Sequence, residues 1–285
     1  MAKKQGMDAR FERAEPGQRK HRTILRVCGE RGTGKTRLGL TAPGPILYQS
    51  FDDGLEGVIE QFLEENSELF PGGRTDIYPK QYQWNPGDYV DADGDIDPDT
   101  SKAAARALRD EFEEDLKFAL ENGVRTVVHD KETDIWELYR YAQFGGPSDA
   151  PKDYPALNQR YMSMINRVKR YDTNLILIQG LKDEWVTKKR TNAQGQVKES
   201  PSPSGKRVPS GFGRLDEIVF AELYCRREGK EFFFEFYSEN DQEFGKVRQN
   251  ASLCGERLSV NELPNRSFCE LGTLLIPGSE VEDWA

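Results

Sequence analysis

Eight residues near the amino end, Gly29-Glu30-Arg31-Gly32-Thr33-Gly34-Lys35-Thr36, constrain this chain more than any other stretch. They satisfy G-x-x-x-x-G-K-[ST] at every fixed position. The glycines let successive main-chain N–H groups turn inward around an anion, a geometry that a Cβ would obstruct. Lys35 is then expected to reach the β- and γ-phosphates of a nucleotide, and the Thr36 hydroxyl to meet Mg²⁺. So short a pattern recurs by chance, and its surroundings decide. Here the β-rich run Thr23–Cys28 feeds the loop, and a helix is predicted from Lys35 to near Pro43, where proline stops it. Such a helix would turn the positive end of its dipole toward the same anion. ATP with Mg²⁺ is therefore the expected ligand. Its candidate binding residues are Gly29, Glu30, Arg31, Gly32, Thr33, Gly34, Lys35, Thr36 and Arg37.

Strand-then-helix alternation continues beyond the loop. Ile46–Phe51 and Val124–His129 read as further strands and Asn174–Ile178 as a near-continuous apolar one, the pattern of strands covered on both faces. Helical spacing of apolar residues recurs at Leu55, Val58, Ile59 and Phe62, and again at Leu108, Phe112, Leu116 and Ala119. The second of these helices is expected to be capped within Asp99–Ser101 and ended by Asn122-Gly123. Further helices are predicted around Ile135–Phe144 and Leu157–Tyr171. After residue 213, Ile218–Cys225 and Glu231–Tyr237 flank Arg226–Lys230 and read as a hairpin. The expected fold class is α/β, a mainly parallel central sheet with helices on both faces and an antiparallel C-terminal edge. The expected organisation is a mobile basic arm over residues 1–22, a core over 23–250, and a C-terminal extension over 251–285. An insertion at 71–100, rich in Pro, Gly and Asp, interrupts the core and is expected to hold a strand near Ile77–Trp84. Its run Asp91–Asp97 resembles a calcium loop, but Ile96 and Lys102 stand where glycine and glutamate are required, so it reads as an exposed acidic turn.

A phosphate site of this kind needs an acid at a neighbouring strand end to hold the water shell of Mg²⁺. Asp130, closing the run Val127-Val128-His129, fits that role, with helix capping as the plainer alternative. His129 lacks partners at ligand spacing and reads as a packed histidine. For orienting or deprotonating water, Asp52, Asp53 and Glu132 compete, and the amide of Gln179 is a candidate γ-phosphate sensor. Each of these also reads as an ordinary strand-end turn residue.

With these residues laid out, the chain resembles the RecA-like P-loop ATPases encoded by phages, small relatives of the recombinase core linked to single-strand annealing and homologous recombination. Gly29–Gly57, Thr126–Ala142 and Asn174–Trp185 carry the resemblance, and with the strand pair after Gly213 they span most of residues 23–250. It implies ATP at the ends of a parallel sheet, a water-activating carboxylate at Asp52 or Asp53, and Gln179 coupling nucleotide to DNA. It also implies a homo-oligomer, with Lys246 and Arg248 as cations offered to a neighbour's phosphate, an exposed β-edge with basic decoration being the alternative.

Residues 181–214 are predicted to be a long loop of Gly, Pro, Ser, Asn and Gln. Eight cations stand there against three anions, in a chain of net charge -9. In RecA-like proteins the loop leaving this strand contacts single-stranded DNA. Lys182, Lys188, Lys189, Arg190, Lys206 and Arg207 are the candidate phosphate contacts and Trp185 the candidate base-stacking residue; a solvated loop without ligand is the alternative. The acidic end Glu280–Trp284 reads as a frayed tail, with docking of a partner as the alternative. Four scattered cysteines without C-x-x-C spacing suggest thiols in a reducing compartment. No run approaches the about 18 apolar residues of a membrane helix, and a cytoplasmic location is expected. Two rivals stay open: a P-loop kinase of a small molecule, its 181–214 segment being a lid, and a nucleotide-dependent assembly factor with little turnover.

Overall fold

The computed structural model describes residues 21–65, 76–91, 93–146, 153–191, 197–236, 246–248, 250–263 and 267–284. The arm at 1–20 and residues 71–75 of the insertion, named above, lie outside the described residues, as do the side chains of Asp53 and Arg190.

Five segments form interior strands of the sheet, each with a partner on both sides. These are β1 (Ile24–Gly29), β2 (Ile46–Ser50), β4 (Thr126–Asp130), β5 (Asn174–Gln179) and β8 (Ala221–Glu228). With β3 (Ile77–Gln81), β9 (Glu231–Glu235) and β10 (Arg257–Ser259) they build one eight-stranded sheet of order β10-β9-β8-β1-β5-β4-β2-β3. Pairing is parallel from β8 through to β3, while β9 and β10 add antiparallel at the other edge. Side chains alternate between two cores. Val127, Leu175 and Leu177 face α3 (Pro98–Glu121), α4 (Glu132–Phe144) and α5 (Tyr154–Val168). Val128, Ile176 and Ile178 face α1 (Lys35–Leu40), α2 (Val58–Glu65) and α6 (Phe268–Leu275) on the opposite side. Because the strands are parallel, the loops after β1, β2, β4, β5 and β8 all emerge at one edge.

Several expectations are corrected. Residues 181–214 are mostly a two-stranded antiparallel ribbon, β6 (Leu181–Thr191) and β7 (Val197–Pro209), separate from the main sheet. The prolines do not prevent it. Pro201 and Pro203 lie two apart, so their missing N–H groups fall on one and the same edge of the strand, and the ribbon has no third strand among the described residues. Helix α3 begins earlier than expected: Asp97 is the cap, accepting from the N–H groups of Asp99 and Thr100, with Pro98 at the first helical position. The segment at 76–100 is partly built into the core. Strand β3 pairs with β2, Tyr82 is buried against Phe51 and Phe112, and Trp84 stacks on Tyr89. The C-terminal residues are not frayed. Trp284 is fully buried against Gly272 and Phe268, and its Nε1 donates to Ser279 Oγ at 3.0 Å. At the other terminus Arg22 is anchored, donating to the carbonyls of Lys169 and Tyr171 at 2.5 and 2.6 Å. No helix among the described residues is long and apolar enough to cross a membrane.

Candidate nucleotide-binding site

The loop between β1 and α1 curls at the open edge of the sheet. Gly32 and Gly34 have φ of 76° and 87°, the left-handed region in which a side chain is strained. Gly29 is held where a Cβ would strike the Cys225 carbonyl. Lys35 folds back along the loop, and its Nζ donates to the carbonyls of Gly29 at 2.9 Å and Glu30 at 2.6 Å. Burial lowers the Lys35 pKa. Its ammonium donates to two neutral carbonyl dipoles, partners that an anion of several charges would displace. Thr33 Oγ1 donates to the Glu30 carbonyl at 2.8 Å and ties the turn. Phe232 of β9 lies against Gly34, with ring carbon Cδ1 3.5 Å from where a Cβ would stand.

Thr36 and Asp130 meet as expected. Thr36 Oγ1 donates to Asp130 Oδ2 at 3.2 Å, and the buried Tyr48 hydroxyl donates to the same oxygen at 2.7 Å. Burial raises the Asp130 pKa, and these two hydrogen bonds oppose it. Asp52 stands at the adjoining strand end, close enough that its charge also raises Asp130. Lys131 Nζ lies 3.0 Å from Asp52 and 3.7 Å from Asp134, so one cation serves both acids. Arg31 is exposed, and Arg37 points away to Glu65 at 2.6 Å.

Gln179 ends β5 as expected, but its side chain and that of Glu132 are engaged in the core. Both are fully buried. The Glu132 carboxylate accepts from the Tyr161 hydroxyl at 2.6 Å, from Gln179 Nε2, and from the Phe212 N–H at 3.4 Å. Burial pushes its carboxyl up to about 7. The Gln179 Oε1 accepts from Arg26 Nε at 2.6 Å, and Arg26 Nη1 reaches Glu222 Oε1 at 2.7 Å. Glu132 therefore has no open face toward water, and the Gln179 amide is committed on both ends. The pair instead braces the root of the ribbon, where Gly211, at φ 96°, packs on Glu132 so closely that no Cβ would fit. Sequence offered one signal for this network, an arginine inside the apolar strand TILRVC, since a buried guanidinium requires partners. Tyr48, a phenol in a buried strand, was the corresponding signal for Asp130.

His129 is fully buried with its ring centroid 5.1 Å from that of Phe112, and burial lowers it to about 3, so it is neutral near pH 7. Cys28 and Cys225 are buried beside the loop and their thiols are pushed up to about 12, which keeps them protonated and inert. No cluster of three or more His, Cys, Asp or Glu suited to a metal occurs among the described residues. The set Thr36–Asp130 nevertheless suits Mg²⁺, which keeps several waters and takes its remaining oxygens from substrate phosphates.

The ribbon leaves the sheet from Gln179, whose strand neighbour in β1 is Cys28, so it is rooted beside the glycine loop. Trp185 is 64% exposed on it, and Lys182, Lys188 and Lys189 are exposed. Alternation puts Trp185 and Lys189 on the same face. Lys189 pairs with Glu199 at 3.1 Å. Arg207 reaches the loop: its Nη1 lies 3.0 Å from Glu30 Oε1. No protein-family model matches the chain, and no curated protein matches it.

Proposed function

We propose that this chain is a RecA-like P-loop NTPase that binds ATP with Mg²⁺, hydrolyses it, and acts on single-stranded DNA as a homo-oligomer. The observation that supports this reading best is the convergence at one sheet edge of a glycine loop, the Lys35 ammonium and the Thr36–Asp130–Tyr48 group. The basic, Trp-bearing ribbon starts one strand away.

Lys35 would exchange the carbonyls of Gly29 and Glu30 for phosphate oxygens, while the loop N–H groups receive the rest of the chain of phosphates. Thr36 and Asp130 would hold Mg²⁺, which supplies neutralisation of the β- and γ-phosphate charge. Tyr48 keeps Asp130 oriented. With Glu132 closed off, Asp52, partly exposed and paired with Lys131, would orient water, or its neighbour Asp53 would. On the ribbon, the exposed lysines would meet nucleic-acid phosphates and Trp185 would stack on a base.

Steady-state ATP hydrolysis with and without single-stranded DNA tests the reading. Mg²⁺-dependent turnover that rises with DNA and disappears in Lys35→Ala supports it. A wild-type chain that neither hydrolyses ATP nor binds single-stranded DNA at low salt overturns it.

A further inference from the structure

Arg207 was expected on sequence to contact nucleic acid, yet its guanidinium is gathered at the glycine loop. Nη1 lies 3.0 Å from Glu30 Oε1, Nη2 donates to the Leu181 carbonyl at 2.8 Å, and Nε lies 3.4 Å from Asp183 Oδ1. Glu30 is the second residue of the loop, and its carbonyl receives the Lys35 ammonium at 2.6 Å. Two cations thus converge on one loop residue, Lys35 on its main chain and Arg207 on its carboxylate. The first belongs to the loop itself and the second to the ribbon.

We propose that Arg207 is a phosphate-contacting residue supplied in cis by the ribbon, exchanging the Glu30 carboxylate for the terminal phosphate of a nucleoside triphosphate. This rests on the nucleotide-binding reading above. Glu30 carries one negative charge at the mouth of a loop shaped for a polyanion, so an arriving triphosphate repels Glu30 and attracts its partner. The pair is easily exchanged, because the Arg207 and Glu30 side chains are 41% and 54% exposed and water screens their attraction. A guanidinium matches phosphate oxygens with two parallel N–H groups, a better fit than a single carboxylate oxygen. Arg207 is also opposite Asp183 in the ribbon register, two residues before Trp185. Moving its guanidinium toward a phosphate therefore releases its contacts with Leu181 and Asp183 at the root of the ribbon. The terminal phosphate is thereby read by the element proposed to hold DNA.

The test is equilibrium binding of ADP and of a non-hydrolysable ATP analogue to the full chain, using wild type, Arg207→Ala, Arg207→Lys, Glu30→Gln and Lys35→Ala. Arg207→Ala is expected to weaken the triphosphate analogue by about tenfold or more and ADP by less than about twofold, with Arg207→Lys recovering part of the loss. Glu30→Gln, which removes the competing acceptor, is expected to tighten the triphosphate analogue by a few-fold, about the strength of an exposed ion pair. Equal losses for both nucleotides in Arg207→Ala, or an unchanged ratio of the two affinities, overturn the proposal while Lys35→Ala still shows the site to be real. If wild type binds neither nucleotide, the nucleotide reading falls and takes this one with it.

Discussion

Glu132→Gln removes one buried charge while keeping the shape of the side chain, and its effect on stability is expected to depend on pH. The carboxyl is pushed up to about 7 from 4.5, chiefly by desolvation, with the Tyr161 and Gln179 hydrogen bonds pulling the other way. Its folded-state value lies above its unfolded value, so the folded chain holds the proton more tightly. The stability this contributes is complete below about 4.5 and is lost as pH rises through about 7. At about 1.36 kcal/mol for each tenfold change in proton affinity, the displacement from 4.5 to about 7 amounts to roughly 3 kcal/mol, most of it falling between pH 5 and pH 8. Glutamine has no proton to lose. Between those two pH values wild type is therefore expected to lose about 2.5 kcal/mol more than the variant. Urea unfolding of both proteins at each pH measures this double difference, and the fixed penalty of setting an amide against the donors of Tyr161, Gln179 and Phe212 cancels in it. A double difference below about 0.5 kcal/mol, the usual scatter of additive effects, or one of opposite sign, would refute the reasoning.

Arg26→Leu strands the Glu222 carboxylate, whose side chain is 14% exposed, and takes the donor from Gln179 Oε1. Unfolding by denaturant should show a loss of about 3 to 5 kcal/mol, partly recovered when Glu222→Leu is added. Gly211→Ala combines a φ of 96° with a Cβ driven into Glu132 and Gln179, and is expected to cost about 1 to 3 kcal/mol, read as a lower melting temperature. Trp185→Ala, at an exposed position of the ribbon, should leave the melting temperature unchanged and weaken single-stranded DNA binding by about 1 to 3 kcal/mol, measured by fluorescence anisotropy.

What could be read in advance followed from periodicity and from chemistry local in sequence. The apolar runs at Leu25–Cys28, Val127–Val128 and Leu175–Ile178 are strands because no other element buries every side chain of so short a run. The loop and its helix were legible because glycine, lysine and threonine act there through fixed spacing. The ribbon was not, since Val197–Pro209 has neither an apolar face nor high β-propensity, and its pairing rests on a long-range register with Leu181–Thr191. Trp284 was misread because its docking depends on Gly272 leaving room for an indole twelve residues away, which no local pattern records. Glu132 looked like a catalytic acid next to Asp130, but as the first residue of α4 it turns inward beneath Gly211. Only the path of the chain through residues 210–212 reveals that.

Titration of Mg·ATP into wild type and Lys35→Ala, followed by calorimetry with the melting temperature of each as a folding check, tests the central claim most directly. One ATP per chain in wild type, weakened at least a hundredfold in a variant that melts at the same temperature, is the result expected if the ammonium now resting on Gly29 and Glu30 grips phosphate. Absence of binding by wild type, or equal binding by the variant, would contradict it.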